Sequence, residues 1–123
     1  MNRSLLAAAA LSAAVALPAL ATAAPTLSAD YFAIEKCAAT YRRLSQFDGE
    51  AVEGYPGKPP IWEKKTQAAI ARLKATGEQP DETELWLGVG YANLNFEDAI
   101  IAGTMKRPDF VKAATACTAK WKF

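Results

Sequence analysis

Two cysteines constrain this chain more than any other feature. Cys37 lies in Ile34-Glu35-Lys36-Cys37-Ala38-Ala39-Thr40-Tyr41, and Cys117 in Ala113-Ala114-Thr115-Ala116-Cys117-Thr118-Ala119. What a lone pair of cysteines means depends on the compartment, and the N-terminus bears on that. Met1-Asn2-Arg3 is a short basic start, and an apolar Ala/Leu run extends from Leu5 to about Leu20. Ala21-Thr22-Ala23 then offers small residues at the positions a signal peptidase reads, so residues 1–23 are expected to be a cleaved signal peptide. A membrane anchor fits less well, because the run is interrupted by Pro18 and no basic residue closely follows it. A periplasmic or secreted location is therefore expected, with no stable membrane span after cleavage.

In an oxidising compartment an even cysteine count reads as a bridge. A C-x-x-C redox or haem motif is absent, and the sequence contains no histidine. The usual ligand sets for zinc and haem are thus missing, and no cofactor or metal is expected. The expectation is one Cys37–Cys117 disulfide.

Residues 24–123 form about one domain's length. Once Arg3 leaves with the leader, basic and acidic residues are equal in number. That balance argues against nucleic acid as a partner.

Hydrophobic periodicity predicts helices throughout. The first, about Ala29–Gln46, starts at a Ser28 cap and carries Tyr31, Ile34, Cys37, Ala38, Tyr41 and Leu44 on one face. A Gly- and Pro-rich connection, 48–60, follows and contains Tyr55. The second helix, Ile61–Thr76, buries Trp62, Thr66, Ala69, Ile70 and Leu73 and stops at Gly77. The third starts at Asp81 and places Leu85, Val89, Ala92, Phe96, Ala99, Ile100 and Gly103 inward. Leu85, Leu87, Val89 and Tyr91 also alternate as in a strand, but no partner strand exists for them, so helix is the expectation. Asn93 and Asn95 suggest a kink. The fourth helix begins near Pro108 and places Phe110, Ala113, Ala114, Cys117 and Trp121 on one face. The expected fold is all-α: a small antiparallel four-helix bundle, stapled between its first and last helices.

Candidate catalytic sets are weak. Nucleophilic catalysis wants a base beside Ser or Cys, and histidine is absent. The acids Asp81, Glu82, Glu84, Glu97 and Asp98 sit where helix starts attract acids. The expectation is a non-enzymatic module that binds another envelope or secreted protein, as an inhibitor, immunity-type factor, adaptor or chaperone. Candidate contact residues are Trp86 and Tyr91, displaced from the inward stripe of the third helix, the Arg42-Arg43 pair, and Tyr55. Glu35 is a candidate partner for the arginines. A small-ligand pocket lined by Tyr31, Tyr41, Trp86 and Tyr91 is the alternative. A carboxylate enzyme built on Glu97 or Asp98 is a second one.

Overall fold

The computed structural model describes residues 24–50 and 60–123. Residues 1–23, expected to be a signal peptide, and Tyr55 lie outside the described residues. Within them the chain forms four α-helices and no strand: α1 (Ala29–Phe47), α2 (Ile61–Thr76), α3 (Glu82–Ile101) and α4 (Arg107–Trp121).

Local chemistry sets the helix ends. Ser28 Oγ accepts the Tyr31 amide at 3.1 Å and starts α1. Pro60 cannot cap α2 with a side chain, and Glu50 does so from across the connection: its carboxylate accepts the Trp62 and Glu63 amides at 3.0 Å. Gly77 ends α2 with φ +67, a conformation in which a side chain would be strained. Asp81 Oδ1 accepts the Thr83 and Glu84 amides to start α3. Asp109 accepts the Lys106 amide at 2.8 Å beside Pro108, starting α4.

The helices make a bundle with α1 at its centre, packed on each of the other three. The Ser28 amide and hydroxyl donate to Glu78 beyond the end of α2, so α1 and α2 run antiparallel. Arg107, at the start of α4, binds Asp48, at the end of α1, in a bidentate pair at 2.8 Å, so α4 also runs antiparallel to α1. The Cys37–Cys117 disulfide links α1 to α4 with Cα atoms 5.8 Å apart. The alanines beside both cysteines allow that close approach.

Most of the expected inward residues form the core, while Trp62, Ala92, Ile100, Cys117 and Trp121 are partly buried against it. Tyr31, Ile34, Cys37, Tyr41 and Leu44 of α1 are buried with Ala69, Ile70 and Leu73 of α2, Leu85, Val89 and Phe96 of α3, and Phe110 and Ala114 of α4. Phe110 meets Phe96 edge to face with ring centroids 5.0 Å apart.

Two local expectations differ: α3 ends at Ile101, so Gly103 lies exposed in the turn beyond it with φ +72 instead of on the inner face, and the expected kink is absent. α3 runs unbroken through 93–95. Asn93 is a weak helix former because its side chain can compete for local backbone groups. Here its amide donates instead to Gln46 of α1 at 3.2 Å.

Candidate functional site

α3 carries apolar side chains on two opposite faces. Leu85, Val89 and Phe96 point into the core, whereas Leu87, Tyr91, Leu94 and Ile101 are exposed, Tyr91 at 63%, Leu94 at 59% and Ile101 at 80%. At 100° per residue the exposed four fall within an arc of roughly 80°, opposite the core face. Their spacing of four, three and seven residues is that of a helix seam. A surface helix ordinarily turns polar residues outward, and helices apolar on both sides are usually covered on both.

Concave surface flanks this stripe on each side. On one side Thr83, Trp86, Gly90, Asn93 and Leu94 line an open groove of about 570 Å³ shared with Leu87 and Tyr91. Trp86 is half-buried there, its body against the core and its edge in the groove. On the other side a cavity of about 330 Å³ opens between α1 and α3. Tyr31, Phe32, Glu35, Gly88 and Tyr91 contribute to its lining.

Glu35 gives this cavity its chemistry. Its carboxylate makes no hydrogen bond or ion pair. Burial raises its pKa above the usual carboxylate value. A Cβ at residue 88 would overlap Glu35 Oε2, so only glycine leaves room for the carboxylate in this position. Tyr31 is 1% exposed, and its hydroxyl also lacks a hydrogen-bond partner. Burial raises the Tyr31 pKa, and the negative charges of Glu35 and Glu78 add to the shift. The Tyr31 hydroxyl is thus buried without a partner, which native structures usually avoid, and Glu35 is an unpaired, partly buried carboxylate beside the same cavity.

The residues singled out from sequence fall in three places. Trp86 and Tyr91 share the α3 groove. The arginines separate. Arg43 is tucked between α1 and α3, where its Nη2 donates to Asn93 O at 3.1 Å and Glu97 Oε1 at 3.0 Å. Arg42 turns toward α2 and lies 3.7 Å from Glu63. Neither engages Glu35, because both lie at the other end of α1, about two turns away. Of the four aromatics considered for a ligand pocket, Tyr31 and Tyr91 share the cavity, and Trp86 lies in the adjoining groove. Tyr41 is in the core instead, its hydroxyl 2.7 Å from Thr118 Oγ1, because its position on α1 faces α2 and α4. Glu97 is paired with Arg43, and Asp98 is exposed on the outer stripe. Glu35 is the residue that sequence reasoning missed as a site. Its signal was a carboxylate one residue after Ile34 and three before Ala38, at the edge of the buried stripe.

Among the described residues no group of three or more His, Cys, Asp or Glu side chains is placed to hold a metal ion. No described helix is long and apolar enough to cross a membrane. No protein-family model, curated protein or solved structure matches this chain.

Proposed function

We propose that this chain is an exported, periplasmic or secreted protein that acts without catalysis by binding another protein, as an inhibitor, immunity-type factor, adaptor or chaperone. One observation carries the reading: the outward face of α3, where Leu87, Tyr91, Leu94 and Ile101 stand exposed in a single stripe opposite the core. Covering such a stripe removes apolar area from water, and that is the main favourable term in most protein association. Trp86 and Tyr91 are of the types that most often dominate binding energy. Export is supported by the leader-like residues 1–23 and by a disulfide tying α1 to α4.

The test is capture of envelope proteins by the mature chain and by two variants. Leu94→Asp alters the stripe, and Lys64→Asp alters the exposed face of α2. Loss of a captured protein with Leu94→Asp alone supports the reading, and equal capture by both variants overturns it. Mass measurement of the native protein is expected to give an N-terminus at Ala24 and no free thiol.

A small-ligand reading draws on a different observation, the cavity of about 330 Å³ with the unpaired Glu35. Its size is at the lower end for ligand sites. Under that reading a small organic cation alone should raise the thermal midpoint of the protein.

A further inference from the structure

From the cavity floor and the stripe together, we propose that the Glu35 cavity is an anchor for a Lys or Arg side chain of an amphipathic, basic helix that lies along α3. This inference rests on the protein-binding reading and specifies the partner's chemistry.

The cavity offers acceptors and no cation. Glu35 has no hydrogen-bond or ion-pair partner, and Glu84 also lines the cavity. Phe32 and Tyr91, both exposed, line the cavity, and aromatic rings suit an incoming cation. The long apolar stem of Lys or Arg would pass Leu87 while its head reaches the carboxylate. Binding a cation there would satisfy a partly desolvated charge that folding leaves alone.

The surroundings identify the rest of the partner. From Glu78 to Met105 the chain contains no Lys or Arg, but it contains Glu78, Asp81, Glu82, Glu84, Glu97 and Asp98. Lys74 is paired with Glu82 at 2.6 Å, and Arg43 with Glu97. The remaining field along the stripe is therefore negative. A second copy laying its own α3 against this one would oppose carboxylates with carboxylates. A free amine is too small for the surface, since Leu87 to Ile101 spans about 21 Å of helix. A helix with apolar residues at steps of three and four and cations beside them matches both the stripe and the charge.

The experiment measures binding of the full mature chain to synthetic helical peptides of about 18 residues, long enough to lie along the stripe. One peptide carries Leu and Lys, one carries Leu and Glu in the same pattern, and n-butylamine is the free-cation arm. The Leu/Lys peptide is expected to bind and the Leu/Glu peptide to fail. Glu35→Gln is expected to weaken the Leu/Lys peptide by about tenfold or more, as removing one side of a partly buried charge pair does. Asp98→Asn makes the same charge change on the exposed face and should weaken binding about threefold at most. Gly88→Ala, whose Cβ would push the Glu35 carboxylate aside, should copy Glu35→Gln while keeping the helical circular dichroism spectrum.

If the Leu/Lys peptide binds wild type and Glu35→Gln equally, the anchor is refuted while the α3 surface stands. If no peptide binds but Leu94→Asp still abolishes capture from the envelope, the basic-helix partner is refuted and protein binding survives. Saturation by n-butylamine that leaves peptide binding unchanged overturns the anchor in favour of a small-cation site. Concentration-dependent dimerisation abolished by Leu94→Asp overturns it in favour of a second copy.

Discussion

The two seams that α1 makes with α4 and with α3 are opposites. At the α4 seam a disulfide joins the helices, Tyr41 bonds to Thr118, and Thr40 bonds to the Lys36 carbonyl within its own helix. At the α3 seam nothing covalent crosses; Arg43 and Asn93 bond across its far half, but near the N-terminal ends Glu35 and the Tyr31 hydroxyl lack partners and a cavity separates the helices. The same central helix thus carries its covalent staple on one side and its unmet polar groups on the other. The lesson is a separation of tasks: the α4 seam carries the covalent tie, and the N-terminal half of the α3 seam is the part left open.

The largest expected effect comes from breaking the strong seam. The bridge closes a loop across a sequence separation of 80 residues. Replacing both cysteines with alanine should cost about 4–5 kcal/mol in the chain-entropy estimate, much of the stability of a small domain. Urea unfolding of the double variant against the oxidised protein measures it. A loss below about 1 kcal/mol would remove the staple from its place as the dominant tie.

A smaller effect on the same seam is expected from Tyr41→Phe. It deletes the hydroxyl that contacts Thr118 Oγ1 and, at 3.4 Å, the Ala114 carbonyl. The expected loss is about 1 kcal/mol, with the helical signal unchanged.

The weak seam should respond with the opposite sign. Because burial raises the Glu35 pKa, the folded state holds this proton more tightly than the unfolded state does. Its contribution to stability therefore falls as pH rises from the ordinary carboxylate value through the raised one. The groups facing it from α1, α3 and the α2–α3 link are Tyr31, Glu84 and Glu78, and none supplies a positive charge. Glu35→Gln should stabilise the protein at neutral pH, by at most about 1 kcal/mol after allowance for solvent screening. The gain should vanish below about pH 4, where the wild-type carboxyl is also neutral. Thermal midpoints of both proteins across that range check the sign. Loss of stability at neutral pH would mean that Glu35 has a structural partner.

The smallest effect belongs to the outer stripe. Leu94→Gln removes an exposed leucine that touches only the groove, so stability should change by no more than about 0.5 kcal/mol. A larger loss in thermal melting would mean that the stripe is already packed on something in the free protein.

The α1, α2 and α4 faces were legible in the sequence because each has one apolar stripe and one polar side. α3 was harder, and its strand-like alternation has a helical explanation. Residues two apart on a helix differ by about 200°, so Leu85, Leu87, Val89 and Tyr91 point alternately to the core and to solvent. A helix that is apolar on both faces imitates a strand at four alternate positions. The site was half legible: Trp86 and Tyr91 stood out as large residues displaced from the core pattern. Glu35 did not, because nearby arginines offered plausible partners. Only the positions of Glu63 and Glu97 show where those cations go.

The Glu50 cap has a consequence for how the protein tolerates change. By accepting the Trp62 and Glu63 amides, Glu50 fastens the residue that precedes 51–59 to the first turn that follows it. The two ends of that connection are thus held by the fold itself, whatever lies between them. Added length there meets only the slow growth of closure entropy, about 0.6 kcal/mol for each doubling. An insertion between Glu50 and Pro60 is therefore expected to be tolerated as long as the Glu50 carboxylate still reaches the Trp62 and Glu63 amides.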